Sequence, residues 1–562
     1  MVENIDEKIY AYALENAHSH EGRAQESSVL SHLFKDGLKK EEIREVMPKI
    51  KEAVRKVNSL NPKELEEAFS NYKQDFEKLK ELKRAQEKER ELPELPNVRE
   101  KMVFRMAPYP SGALHIGNAK QFVLNALYAE KYNGKLILFI DDTIGSEAKP
   151  IVKEAYELIP ESLDWLGIKY DKEVLYKSDR LEIYYEYAEK LINLGRAYVC
   201  SCRQEALKKN REKGIECECR ILPVEKQIER WKKMFKAKQG KYTLRIKTDM
   251  KNPNPAFRDR VLFKITERKH PRAGNKHRVW PTMEMSWAVD DHLIGVTHII
   301  RGIDLVMETE MEKEIWSIFG WEHPTVVHTG FFTIEGIEGA KISKSKAQAE
   351  IKSGKFMGWD DPRTWSIQSL KRRGFIPEVI REFIKRFGIN QNNIVAPIEN
   401  FYSINRKMID STANRYFFVE APKKIVVEDF PASLNSIDVP IHPEKTELRK
   451  LKVFPELYIS EKDFNENKGR EVRLTNLFNV ILNGKTKFLD SADKSVQKIQ
   501  WVSDKFRVRA RILMPDGKWS EGFAEKNIEK LKADDVIQFE RVGFVRYDKK
   551  KGATYEFWFA HR

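Results

Sequence analysis

The sequence predicts a multidomain chain: an N-terminal α-helical module, an α/β doubly wound domain with a cysteine-bearing insertion, and a C-terminal all-β region of barrel type. Three observations predict this order. From Val98, buried strand patterns alternate with helical ones, as in right-handed parallel βαβ units. All four cysteines fall in two C-x-C pairs inside that region. After Arg415 the helical period gives way to short strands between polar turns.

At 562 residues the chain can bury several cores. With 101 Lys and Arg against 86 Asp and Glu, the net charge of +15 favours a polyanionic partner, most simply nucleic acid. The same richness in charge also suits a thermophile's surface. No apolar run approaches the roughly 18 residues of a membrane span, so no membrane partner is expected. The acidic start lacks the basic-then-apolar order of a signal peptide, and a cytoplasmic location is expected.

Ile5, Ile9, Tyr12 and Ala13 recur at helical spacing, as do Ile43, Val46, Met47, Ile50 and Val54, and Phe69 to Glu91 is a Lys/Glu-rich amphipathic stretch. Leu92-Pro-Glu-Leu-Pro96 then reads as a domain boundary. A helical module of this kind suits contact with a protein partner or RNA, and nothing in it suggests chemistry. The α/β region follows with a strand over Lys101–Met106, a helix from Gly117 to Tyr132, a strand over Lys135–Ile140, and helices over Pro150–Leu166 and Leu181–Leu194. Ligands of such sheets bind beyond the carboxyl ends of the strands, where Arg105 and Asp141 fall. Asp141 could equally cap a helix.

Cys200-Ser-Cys202 and Cys217-Glu-Cys219 flank a basic helical stretch. Two disulfides are one reading. In a reducing cytosol the other is a closed site of four thiolates for a structural Zn2+, with no position left open for water. The insertion continues through a basic helix over Pro223–Lys238 and strands over Tyr242–Lys247 and Val261–Thr266. The second half of the α/β domain is expected to resume at Val279, with helix Met285–Leu293, strand Val296–Ile300 ending in Arg301-Gly-Ile-Asp304, and helix Glu308–Phe319. A basic helical region with Arg363 and helix Pro377–Phe387 follows, then strands that include Val536–Val545 as one element. In the β region Lys505, Phe506, Arg507, Arg509, Arg541, Phe544, Arg546 and Tyr547 interleave aromatic and basic groups that could stack on and grip unpaired bases. Simple alternation of core and solvated residues accounts for the same pattern.

Two stretches carry the chemistry. Prolines Pro108 and Pro110 end the strand that contains Arg105, Ser111 and Gly112 make a turn, and His115-Ile-Gly-Asn118 opens a helix whose free N–H groups suit a phosphate. Taken alone, this is also an ordinary strand, turn and capped helix. Far downstream, Lys341-Ile-Ser-Lys-Ser345 sets two ammonium groups three residues apart, suited to the oxygens of a departing pyrophosphate.

Together, in this order, they resemble the HIGH and KMSKS signatures of class I aminoacyl-tRNA synthetases, with Asn118 for the second histidine and Ile342 for the methionine. Ala107-Pro-Tyr-Pro-Ser-Gly112, Asp141-Asp-Thr143, Tyr198-Val-Cys-Ser-Cys-Arg203, Val289 to His298, Gly358-Trp-Asp-Asp-Pro-Arg363 and Phe539 to Phe544 extend the resemblance over nearly all of Glu94 to Arg562. They make it similar to the archaeal glutamyl type, in the subclass shared with glutaminyl enzymes. The departures are Phe139, where relatives carry Arg, and Tyr109, Asn118 and Met283.

The resemblance implies a Rossmann-type catalytic domain split as 98–197 and 279–330, a helical extension over 1–97, a zinc-containing insertion over 198–278 that binds the tRNA acceptor end, a KISKS and stem-contact domain over 331–415, and anticodon-binding barrels over 416–562. It implies activation of L-glutamate with ATP and Mg2+, then transfer to the 3′ ribose of tRNA(Glu), by a monomer, with tRNA(Gln) as a second acceptor left open. Glutaminyl charging, or a paralogue that binds tRNA without charging it, are the alternatives. By position, Arg105, Ala107, Tyr109, Asp141 and Arg301 would hold the amino acid, while Ser111, His115, Gly117, Asn118, Asp304, Lys341, Ser343 and Lys344 would hold ATP. His115, Asn118, Lys341 and Lys344 would be catalytic, and Arg363, Arg507, Arg541 and Arg546 would contact tRNA. Arg301 separates glutamate from glutamine, because a carboxylate needs a paired cation whereas an amide would turn its NH2 toward donors.

Overall fold

A computed structural model describes residues 5–19, 22–35, 38, 42–73, 76, 92–144, 149–336 and 344–562. It divides into two compact units, Met1–Glu91 and Leu92–Arg562. In the first, helices Ile5–Ser19, Glu26–Lys35 and Ile43–Asn58 and a helix over 62–73 bury Ile9, Tyr12, Ala13, Val46, Ile50 and Val54 in one core. Ile5 faces solvent instead. Residues 77–91 of the expected amphipathic stretch lie outside the described residues.

The second unit is built on a parallel sheet of five strands. In spatial order these are Leu175–Tyr176, Lys135–Ile140, Val103–Met106, His298–Gly302 and Thr325–Thr329. Chain order reverses between Val103–Met106 and His298–Gly302, and such a switch point opens a crevice at the strands' carboxyl ends. Lys135–Ile140 reads Lys-Leu-Ile-Leu-Phe-Ile, five of its six residues buried, as a strand covered on both faces requires. Ile116–Lys131 follows the first strand and sinks Ile116, Ala119, Val123 and Leu124 into the same core. The proline-rich boundary lies against this helix: Tyr128 Oη donates to the Pro93 carbonyl and Tyr132 Oη accepts from the Leu95 N–H.

The insertion forms its own antiparallel sheet of Ala197–Cys200, Thr243–Ile246, Val261–Ile265 and Val279–Pro281. Val279–Pro281 therefore does not resume the parallel sheet, as its apolar run suggests. It hydrogen-bonds to Val261–Ile265, and the return comes at His298 after helix Met283–Ile294.

The C-terminal region holds two seven-stranded sheets, each closed on itself. One begins with Arg415–Tyr416 and ends with Phe418–Glu420, so its two edges are neighbours in the chain with only Phe417 between them. The other begins with Lys498–Ile499 and ends with Trp501–Ser503, with only Gln500 between. A sheet whose first and last strands are continuous has no free edge and is a barrel. The barrels are nested, because residues 422–503 supply the inner one and 415–420 with 507–561 the outer. Val536–Val545 is two strands rather than one. Arg541 takes a left-handed φ of 66° at the turn between Val536–Phe539 and Gly543–Lys551, two residues before Gly543, which also has a positive φ.

Arg449, on the hairpin Ser436–Pro440/Leu448–Lys452, joins the barrels by pairing with Glu525 at 3.1 Å. Both are buried, at 5% and 2% exposure, and Glu525 also accepts from the Phe417 N–H at 2.8 Å. Removing one partner leaves a buried charge uncompensated, so Arg449→Met should cost about 3–5 kcal/mol in denaturant unfolding of this region. Adding Glu525→Gln should recover part of the loss, and an unchanged midpoint for the single variant would contradict the assignment.

Candidate active site

The switch point encloses a cavity of about 360 Å3 lined by Arg105, Ala107, His115, Gly117, Asn118, Lys120, Gln121, Asn125, Trp287, Arg301, Gly302 and Asp304. Arg105 and Arg301 stand at the carboxyl ends of the two central strands. The crevice thus gathers residues separated by nearly two hundred positions.

The turn that leads into it is held from outside. Gly112 has φ +138°, and a Cβ there would lie 2.3 Å from the indole of Trp359, so only glycine fits. Ile367 N donates to the Leu114 carbonyl at 2.8 Å, and Pro108 O and Pro110 O accept from Asp141 N and Val152 N. Helix Ile116–Lys131 is then capped by the motif itself. His115 Nδ1 accepts from the Asn118 N–H at 3.3 Å, and Asn118 Oδ1 accepts from the His115 N–H at 2.9 Å, a reciprocal capping box. Asn118 in place of histidine thus closes the box through its amide oxygen. Burial, and then the charge of Lys344, push the His115 imidazole down to about 3, so it is neutral at physiological pH. Lys344, the first residue of helix Lys344–Lys352, is itself lowered to about 8 by burial and by Lys149. The second lysine of the downstream motif therefore acts electrostatically on the first motif. Lys341 and Ser343 lie outside the described residues.

The deep end of the site is organised by Trp287. Among the described residues three cations face its ring: Arg105 and Lys177 at 4.8 Å and Arg301 at 5.4 Å. Each has its own buried acid. Arg105 pairs with Asp291, its Nη2 donating to Oδ2 at 2.9 Å; Arg301 Nη1 donates to Glu312 at 2.9 Å; and Lys177 Nζ lies 3.4 Å from Asp141 Oδ2. Lys177 also donates to Ser286 Oγ at 2.7 Å, and Asp141 accepts from Thr143 Oγ1 at 2.9 Å. Asp141 is therefore not a helix cap. Asp142, next to it, accepts from Ser178 and Tyr156 and fixes the strand end. Burial pulls the Lys177 ammonium down, opposed by Asp141 and Asp290, and burial pushes Glu312 up, opposed by Arg301. Of the residues that line the cavity, Arg301 Nε, Trp287 Nε1, Gln121 Oε1 and Asn125 Oδ1 are buried without a hydrogen-bond partner. Unpaired donors and acceptors around one cavity suit a polar ligand.

The remaining sequence-based candidates sort cleanly. Tyr109 turns away and donates to the Lys149 carbonyl at 2.8 Å. Ser111 stays in the turn outside the cavity lining, and Asp304 lies over Gly302, where a Cβ would meet its Oδ1 at 2.2 Å. Phe139 is buried beneath the guanidinium of Arg180, 5.7 Å away. Met283 lines a separate cavity beside Thr143. Arg363, Arg507, Arg541 and Arg546 all engage acids of this chain, Asp361, Asp504, Asp463 and Asp548 respectively. Sequence reasoning missed Lys120, Gln121, Asn125, Lys177, Trp287, Asp291 and Glu312. The one signal for them was charge inside apolar helices, as in Val289-Asp-Asp-His292.

In the insertion the four cysteine sulfurs lie within 4.8 Å of one another, with Cys200–Cys217 at 3.9 Å and Cys202–Cys219 at 3.8 Å. The thiols are free, and these distances are far beyond the roughly 2.05 Å of a disulfide. They match the roughly 3.8 Å edge of a tetrahedron with metal–sulfur bonds of about 2.3 Å, so the donor set fits a tetrahedral metal ion. Tyr198 Oη donates to Asp259, which also pairs with Arg220, and Gln227 Nε2 donates to the Cys219 carbonyl. These bonds brace the loops that carry the sulfurs.

Residues 101–411 match the family model of class I tRNA synthetases (E and Q), catalytic domain. Residues 413–501 and 498–548 match its two anticodon-binding domain models. The chain is 41% identical over 571 residues to a glutamate–tRNA ligase of Methanocaldococcus jannaschii, covering 99% of this chain and 100% of that one. It is 40% identical over 586 residues to one from Thermococcus kodakarensis, covering 100% of both, and 38% over 570 residues to one from Methanothermobacter thermautotrophicus, covering 99% and 100%. With a catalytic-domain match across more than half its length and full-length relatives at this identity, the chain belongs to the class I tRNA synthetases of the E and Q family.

Proposed function

We propose that this chain is a glutamate–tRNA ligase that activates L-glutamate with ATP and passes it to tRNA(Glu). The observation that carries this reading is the pair of buried guanidiniums, Arg105 and Arg301, on adjacent strand ends in one cavity. Two fixed cations recognise a side-chain carboxylate, whereas a carboxamide between them would face donors with its own NH2.

In this reading Arg301 Nε and the outer edge of Arg105 take the side-chain carboxylate, and Asp141 takes the α-ammonium group. Gly117 lets the nucleotide approach the first turn of helix Ile116–Lys131, where free N–H groups, Ser111 and neutral His115 hold phosphate oxygens, while Asp304 accepts from the ribose. Magnesium bound with ATP would screen the triphosphate charge. The α-carboxylate of glutamate attacks the α-phosphorus and the bond to pyrophosphate breaks, with Lys344, Lys341 and Ser343 stabilising the leaving charge. A terminal ribose hydroxyl of tRNA then attacks the glutamyl carbonyl and AMP leaves. The chemistry uses no covalent enzyme intermediate, so positioning and electrostatics supply the rate.

Cys200, Cys202, Cys217 and Cys219 would hold Zn2+ as a structural tie for the insertion, which presents the acceptor end of the tRNA. The barrels would read the anticodon, in a cytoplasmic, monomeric enzyme. Glutaminyl charging is the weaker reading because Arg301 is present.

Arg301→Cys should reduce glutamate activation, measured as tRNA-dependent ATP–pyrophosphate exchange, by at least about 100-fold in kcat/KM, the equivalent of about 2.7 kcal/mol. Wild-type kinetics in that variant would remove Arg301 from the pocket. Absence of exchange with any amino acid would favour a tRNA-binding paralogue. Elemental analysis of the purified protein should find one zinc per chain, and Cys217→Ser should lose it along with several degrees of melting temperature. A wild-type protein without stoichiometric metal would overturn the zinc assignment.

A further inference from the structure

The charge balance around Trp287 raises a problem for a substrate of net negative charge. Among the described residues three cations, Arg105, Lys177 and Arg301, are matched by three carboxylates, Asp291, Asp141 and Glu312. Arg180 and Asp290 beside them form a further matched pair. These pairs are neutral before anything enters, and Lys120, the other buried cation of the cavity lining, is held by the Gly330 carbonyl. The ammonium group and one carboxylate of an incoming amino acid balance each other, but a carboxylate on its side chain adds one more negative charge. A side-chain amide adds none. An unbalanced charge in a buried site is strongly disfavoured, and such a site takes up or releases a proton instead.

We infer that Glu312 takes up a proton from solvent when glutamate binds, so that Arg301 is passed from an internal carboxylate to the substrate's. This rests on the glutamate–tRNA ligase reading and deepens it, since it makes Glu312 a positioning residue for specificity. The geometry singles it out. Glu312 is fully buried on helix Val306–Phe319 and engages both Nη atoms of Arg301, leaving only the unpartnered Nε for a second anion. Once protonated it keeps one acceptor oxygen on Arg301 and releases the guanidinium's charge. The other acids are less suited. Asp141 is engaged by Lys177 and Thr143, and Asp291 already takes the Nε of Arg105 together with its Nη2, whereas the Nε of Arg301 is unpartnered.

The groups that face Glu312 are Arg301 and Arg105 from the central strands and Asp291 from helix Met283–Ile294. His328, from strand Thr325–Thr329, faces Arg301 and bonds Thr309 Oγ1 at 2.9 Å. Burial raises the Glu312 pKa even in the free protein, Arg301 and Arg105 oppose it, and Asp291 pushes the same way as burial. The substrate carboxylate would push it further up. A group with a raised pKa in the complex is protonated below that pKa and releases its proton above it, so glutamate affinity should fall as pH rises.

The test is calorimetric titration of glutamate into the full-length protein with tRNA and a non-hydrolysable ATP analogue, repeated in buffers of different ionisation enthalpy. The expected result is uptake of about one proton per glutamate near neutral pH, with KM for glutamate rising up to about tenfold per pH unit on the alkaline side. Glu312→Gln should bind glutamate without proton uptake and flatten that profile, an effect that simple loss of stability would not produce. Retention of the same proton by Glu312→Gln would overturn the assignment. So would wild-type binding without proton uptake, a measurement that stands even if the variant fails to fold. No binding heat at all would overturn the ligase reading and this one together, whereas heat without a proton overturns the coupling alone.

Discussion

A guanidinium taken out of water must be met by a counter-charge, and at the centre of this molecule there are two, on neighbouring strand ends. Asp291 and Glu312 meet them, and these acids sit on two different helices, Met283–Ile294 and Val306–Phe319. Each helix is therefore locked to the sheet by a salt bridge as well as by apolar packing through Met285, Val289, Ile315 and Trp316. Trp287 fits the same logic, since an aromatic face is one of the few apolar surfaces that tolerates cations on it. A change to any of these charges perturbs the scaffold and the pocket together.

The outer turn obeys a different constraint, that of space. Gly112 against Trp359 and the bridge from Leu114 to Ile367 press the proline turn onto a segment some 250 residues away in sequence. The distance from Arg105 to His115 is thereby set by packing and backbone hydrogen bonds, not by the turn's own preferences.

Much of this was legible in the sequence, and the failures have physical causes. Apolar runs such as Lys135–Ile140 and the strand–proline–helix order after Val103 announced the parallel sheet, and the spacing of the cysteines announced their cluster. Seven of the proposed ligand residues, Arg105, Ala107, His115, Gly117, Asn118, Arg301 and Asp304, do line one cavity. What stayed hidden was pairing. Val279–Pro281 is as apolar as a central strand, but its hydrogen bonds go to the insertion's sheet, and local pattern cannot specify a partner. The turn at Arg541 was marked only by Gly543 at its end, because the left-handed residue at its centre is an arginine whose side chain is held by Asp463. The acids behind the arginines were equally obscure, because Asp291 and Glu312 sit in helices where several acids are mixed among apolar residues and local pattern does not say which of them pairs with an arginine. Arg363, Arg507, Arg541 and Arg546 each pair with an acid of this chain, a feature that charge counting along a sequence does not register.

The nesting of the two barrels sets an order of assembly during synthesis. The inner barrel is contiguous, so it can close once residue 503 has emerged from the ribosome. The outer barrel cannot. Its first strands, 415–420, are made before the inner barrel begins, yet their sheet is completed only by Thr554–His561 at the very end of the chain. For more than a hundred residues of elongation those strands wait with unpaired edges, first while the inner barrel is made and then beside the closed barrel that follows them in the chain.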